Sequence, residues 1–71
     1  MNRINPRKLL HSKWTAVEPQ NREKHFMVTE VDYDEEGKVV LCILEAVLSD
    51  REYSIDWTQL KSRDNWRQGW K

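Results

Sequence analysis

From His25 to Tyr33 the chain reads as a β-strand, apolar through Phe26-Met27-Val28 and then sorting polar and apolar residues by a period of two. Met27, Thr29, Val31 and Tyr33 share one side, while the other changes from Phe26 and Val28 to Glu30 and Asp32. This strand therefore starts covered on both faces and ends half solvated. Asp34-Glu35-Glu36-Gly37 follows as a hairpin turn, with Gly37 suited to the left-handed position after a type I turn. A second strand begins at Lys38 and runs to Leu48, apolar on both faces except at Glu45, as a central strand should be. Leu44-Glu45-Ala46 has helical propensity and is an alternative site for a bulge.

Ser49-Asp50-Arg51 makes another tight turn, and Glu52 to Trp57 then alternates most regularly of all, with Tyr53, Ile55 and Trp57 facing inward. Asp56 and Gln59 are spaced as a variant capping box, which predicts a short helix around Thr58 to Ser62 that carries Leu60 back onto the sheet. At the other end, Asn5-Pro6 reads as an N-cap followed by proline at the first helical position, so Pro6 to His11 is expected to form one or two helical turns. Lys13 to Val17 has the bias of a strand, and Glu18 to Arg22 reads as a surface loop because Pro19 removes a backbone donor amid polar residues. The tail from Asn65 to Lys71 holds Trp66 and Trp70 four apart before and after a glycine stop; a helical tail would place both rings on one face.

These elements predict a single domain over residues 1–71 that is mainly β. The architecture is a small curved antiparallel meander or an SH3-like half-barrel of about four strands, with a short C-terminal helix. A chain of 71 residues has a net stability of only ~4–11 kcal/mol at ~0.05–0.15 kcal/mol per residue. Burying all four of its tryptophans would supply roughly 20 kcal/mol gross, so the domain is too small to leave all of them exposed.

Charge changes this picture, because the formal total of zero hides an uneven distribution. Residues 1–14 carry four bases and no acid, residues 57–71 four bases against one acid, and residues 15–56 four bases against eleven acids. If the two ends meet, the molecule has one basic, tryptophan-bearing side. That side would be built from Lys8, Lys13, Trp14, Arg63, Trp66, Arg67, Trp70 and Lys71.

Chemistry is sparse by comparison. Cys42 is alone, which excludes an internal disulfide, and it lies in the apolar run Val39 to Leu44 where a buried, inert thiol is expected. His11 and His25 have no second ligand at metal spacing, and the acids from Glu30 to Glu36 lack the glycine-centred spacing of a calcium loop. With only Gly37 and Gly69 there is no phosphate-binding glycine loop. No cofactor, no metal and no enzymatic activity are expected. The start has no apolar stretch of signal-peptide length, and the longest apolar run is too short to cross a bilayer, so no membrane association and a cytoplasmic location are expected.

The runs Asn5 to Val17 and Glu23-Lys24-His25-Phe26, with Leu44-Glu45-Ala46-Val47, Arg51-Glu52-Tyr53, Trp66 and Gly69-Trp70, resemble a family of short tryptophan-rich bacterial proteins of unknown function. The resemblance spans nearly the whole chain. It implies a small bacterial protein and brings no activity, cofactor or functional residue with it. Two functions fit the basic side. A protein-interaction or assembly module ranks first, since tryptophan and arginine are the commonest interface anchors. A nucleic-acid-binding module ranks second, with Trp66 and Trp70 stacking on bases and the flanking lysines and arginines on phosphates.

Overall fold

The four strands of the meander and a fifth from the tail form one open antiparallel sheet in the computed structural model, which describes residues 1–71. The strands are β1 (Lys13–Gln20), β2 (Glu23–Tyr33), β3 (Val39–Ala46), β4 (Glu52–Ser54) and β5 (Trp66–Gln68). Their spatial order is β4-β3-β2-β1-β5, so β4 and β5 are the two edges and do not meet. Both edges are three residues long, a length that gives another strand little to pair with. Two 3-10 helices complete the chain, Pro6–Lys8 before the sheet and Trp57–Lys61 between β4 and β5.

The helical elements form where their caps dictate. Asn5 accepts a hydrogen bond from the Arg7 amide at 3.0 Å, with Pro6 at the first position where no donor is needed. Asp56 accepts from both the Thr58 amide and the Thr58 hydroxyl, which turns the chain out of the sheet direction. This is why β4 stops at Ser54 and Trp57 begins a 3-10 helix, where the alternation alone had extended the strand to Trp57. Leu60 on that helix is completely buried, as its spacing predicts.

One face of the sheet carries the core. Leu9 and Leu60 from the flanking segments close over Trp14, Phe26, Val28, Cys42, Leu44 and Ala46. Register explains the choice of face: Phe26 lies opposite Ala46, Val28 opposite Leu44 and Val31 opposite Cys42. Three residues of β2 thus span two of β3, which is a β-bulge at Thr29. The bulge turns Val31 onto the core face, where strict alternation would have put Glu30. It also leaves the Thr29 hydroxyl buried without a partner. This bulge is therefore on β2, a second register shift falls on β3 at Val40 between Asp32↔Leu41 and Tyr33↔Val39, and Leu44-Glu45-Ala46 pairs regularly.

One sequence expectation is corrected around β1. Glu18 to Gln20 belong to the strand, and the loop shrinks to Asn21 and Arg22, both with positive φ (55° and 62°), between the paired residues Gln20 and Glu23. That is the two-residue turn whose twist matches a hairpin, here without its usual glycine. Pro19 is accommodated because it lies in the stretch between Thr15 and Gln20 where the register with β2 shifts. The hairpin at Asp34 to Gly37 forms as expected, with the Asp34 carboxylate accepting from the Glu36 and Lys38 amides and Gly37 at φ 82°. No helix of the protein is long and apolar enough to cross a membrane.

Candidate functional site

The tail is a strand and not a helix, and this decides where its side chains go. Trp14 lies opposite Gln68, Thr15 opposite Arg67 and Ala16 opposite Trp66. Residues facing each other across two antiparallel strands share a face. Trp66 and Gln68 therefore project to the core side and Arg67 to the other. Gly69, at φ 81°, ends the strand and swings Trp70 onto the side of Lys13 and His25, so the two tail tryptophans lie on opposite faces.

The tail is tied down along its length. The Gly69 amide donates to the Lys13 carbonyl at 2.8 Å, the Thr15 hydroxyl donates to the Gly69 carbonyl at 2.7 Å, and the Lys71 amide donates to that same hydroxyl at 2.9 Å. The N-terminal segment runs alongside. Asn2 donates through its side chain to the carbonyls of Leu60 and Trp66 at 2.8 and 2.9 Å, and Gln68 donates to the Arg3 carbonyl at 2.7 Å.

Two grooves open between this segment and β5. One, of about 460 Å³, is lined by Met1, Asn2, Arg3, Arg63, Trp66, Arg67, Gln68 and Lys71. The other, of about 350 Å³, is lined by Arg3, Ile4, Asn5, Lys8, Ser12, Lys13, Trp14 and Gln68. They adjoin at Arg3 and Gln68, which line both and are hydrogen-bonded to each other, and the two together make a basic channel beside β5. Six cations line it, Arg3, Lys8, Lys13, Arg63, Arg67 and Lys71, with no Asp or Glu among them. None of the six is in an ion pair, since the protein's one salt bridge joins Lys38 to Glu36 at the far hairpin tip.

The five basic residues singled out from the sequence, Lys8, Lys13, Arg63, Arg67 and Lys71, are thus brought together. Arg3 was missed as an individual, although it lies in the acid-free stretch 1–14. The aromatic candidates divide differently. Trp14 is 1% exposed, with its N–H donating to the Ser12 hydroxyl at 2.8 Å, so it is a core residue and only the back of the groove. Trp66 is half-buried and meets the Phe26 ring edge-on at 5.2 Å and 83°. Trp70 is 44% exposed, yet its N–H donates to the Phe26 carbonyl at 2.9 Å and the Lys13 ammonium sits 4.8 Å over its ring. Trp57, expected as core, is half-buried against it and carries the Lys61 ammonium 4.7 Å from its ring. Cys42 is 1% exposed and burial pushes its thiol up, which keeps it protonated and unreactive.

The chain belongs to the family described as Tryptophan-rich protein (DUF2389), whose model matches residues 12–71. The match takes in all four tryptophans and all five strands. No curated protein and no solved structure matches the chain.

Proposed function

We propose that the protein is a non-catalytic interaction module that docks an acidic segment of a partner protein in the channel along β5. The observation that carries this reading is the set of six cations, Arg3, Lys8, Lys13, Arg63, Arg67 and Lys71, lining two adjoining grooves without an Asp, a Glu or an ion pair. Unpaired cations have no existing ion pair to break when an anionic partner arrives, its charges offset the water they lose, and their joint field speeds encounter. A protein partner is favoured over a nucleic acid by the state of the tryptophans. Base stacking needs a free aromatic face. Trp66 packs edge-on against Phe26, and Trp70 already holds Lys13 over its ring.

The reading is tested with a labelled peptide rich in Asp and Glu, compared with single-stranded and duplex oligonucleotides of equal charge at low and moderate salt. The peptide is expected to bind more tightly than either oligonucleotide, with affinity that falls as salt rises. Arg63→Glu and Arg67→Glu should each weaken it by on the order of tenfold, because a like charge replaces an attractive one. Lys38→Glu, at the far hairpin tip, should leave it unchanged. No binding of any polyanion at low salt would sink the reading. Oligonucleotide binding tighter than the peptide, accompanied by quenching of tryptophan emission, would replace it with the nucleic-acid alternative.

A further inference from the structure

Away from the basic channel, a second cleft of about 360 Å³ opens on the core face beside the β1–β2 turn and β4. Its floor is apolar, with Ala16, Phe26, Leu44, Ile55 and Trp66. Phe26 is the centre of an aromatic set: Tyr53 meets it edge-on at 6.2 Å and 62°, and Trp66 at 5.2 Å and 83°. The rim carries two carboxylates, Glu18 and Glu23, together with the amides of Gln20, Asn21 and Asn65. It holds no base.

Glu23 is the unusual member. It is only 5% exposed, and its carboxylate accepts hydrogen bonds from the Ser49 hydroxyl and from the Tyr53 hydroxyl at 2.5 Å. These two hydroxyls, Ser49 first, hold the carboxyl below its ordinary range, so it is an anion at neutral pH. No cation lies within ion-pair distance of it, and the charge of Arg51 is the last of the influences that lower the carboxyl. A buried ionised group without a counter-charge is expensive, and a carboxylate has about four acceptor positions, of which two are filled here. Aromatic rings beside such a group supply the other surface that a cation prefers.

We propose that this cleft binds an alkylammonium ion, with the aliphatic stem against Phe26, Ile55 and Trp66 and the ammonium N–H groups donating to Glu23 and Glu18. The wealth of acceptors selects a cation with N–H donors over a quaternary one, whose methyl groups could not use them. The volume lies within the range of small-molecule pockets, and the site is independent of the basic channel apart from Trp66, which lines both. The same chemistry is offered by a free aliphatic amine and by a lysine side chain.

The test is an NMR titration of the intact chain at neutral pH with pentylammonium, pentanol, tetramethylammonium and a blocked Ala-Lys-Ala peptide. Pentylammonium is expected to shift the Phe26, Tyr53 and Trp66 signals saturably in the millimolar range, with pentanol and tetramethylammonium each at least about tenfold weaker. Glu18→Gln, on the exposed rim, should keep the native spectrum and weaken pentylammonium about threefold, and Glu23→Gln should weaken it at least about tenfold. A peptide that shifts the same signals identifies the ligand as a lysine side chain; a silent peptide beside an active pentylammonium identifies a free amine. Equal shifts from pentanol would reduce the cleft to an apolar pocket and overturn the proposal. Equal binding of tetramethylammonium, unchanged affinity in Glu18→Gln, or no saturable shift at these signals would overturn it as well.

Discussion

Removing single tryptophans tests the division between core and edge quantitatively. Trp14 is 1% exposed, so Trp14→Ala deletes a side chain that covers ~150–250 Å², worth ~4–6 kcal/mol at ~25 cal/mol per Å². Substitutions of this kind in cores cost ~3–5 kcal/mol, against a total of ~4–11 kcal/mol for a domain of this length. Trp14→Ala should therefore remove roughly half of the protein's stability at room temperature. Trp70 is 44% exposed, so only about half as much area is at stake, ~2–3 kcal/mol as an upper bound. Its hydrogen bond to Phe26 adds about 1 kcal/mol, while Lys13 and the Phe26 carbonyl regain water once the ring is gone. The net expectation for Trp70→Ala is ~1–2 kcal/mol. Urea unfolding followed by far-ultraviolet circular dichroism measures both, with unchanged slope as the sign that the unfolded states are comparable. Where Trp14→Ala does not fold, Trp14→Phe loses the N–H bond to Ser12 and part of the volume, and should still cost ~1–2 kcal/mol. A cost below about 1 kcal/mol for Trp14→Ala, or a larger cost for Trp70→Ala than for Trp14→Ala, would refute the assignment of core and edge.

Two further predictions concern the hairpins. Glu23 is held below its ordinary value of 4.5 by the Ser49 and Tyr53 hydroxyls, so its contribution to stability is present above pH 4.5 and is lost as the pH falls through the lowered folded value. Tyr53 runs the other way: its hydrogen bond to Glu23 raises the phenol above 10, so that contribution holds below pH 10 and is lost as the pH rises through the folded value. The stability gap between the wild type and Glu23→Gln should thus be constant at neutral pH and narrow below pH 4.5; a gap that is flat in acid would show that the carboxylate is not held as an anion. At the β1–β2 turn, Arg22 occupies a positive φ of 62°, a conformation that glycine adopts without penalty. Arg22→Gly should stabilise the protein by about 0.5–1 kcal/mol and raise the thermal midpoint by roughly 3–6 °C, and a lowered midpoint would contradict the turn geometry.

Elements whose signal is local were legible in the sequence. The Asp34 to Gly37 turn, the Asn5-Pro6 cap and the return of Leu60 to the core each depend on a few neighbouring residues, and all three form as read. What failed depends on distant partners. The bulge at Thr29 exists because Val31 must face Cys42 while Val28 faces Leu44, a constraint written on two strands at once. β5 has three residues and too little alternation to announce itself; it becomes a strand by pairing with β1, at least fifty positions earlier in the chain. That pairing also creates the basic channel, so the charge imbalance of the ends was readable but its geometry was not. Glu23 left no trace, since the hydroxyls that hold it come from Ser49 and Tyr53, 26 and 30 residues away.

The tryptophans explain how an open sheet of this size closes its core without a second layer. Only two 3-10 turns lie over the core face, and they place one fully buried residue each there, Leu9 from the end of the first and Leu60 from the second. Ten residues in total are buried, few for a domain that must offset the entropy of ordering 71. The remaining cover comes from half-buried rings: Trp57 and Trp66 pack against the core cluster, and Trp70 fastens the tail to β2 through the Phe26 carbonyl. Aromatic side chains suit this task because they cover much area with few rotatable bonds, and their N–H groups can bond the sheet. Of these rings, Trp66 also lines the core-face cleft. The groups without an ion-pair partner are charged ones, six cations in the two grooves beside β5 and two carboxylates in the cleft beyond Trp66. In a chain whose net charge is zero, opposite fields on the two sides of one half-buried tryptophan favour recognition by local charge over attraction of the whole molecule.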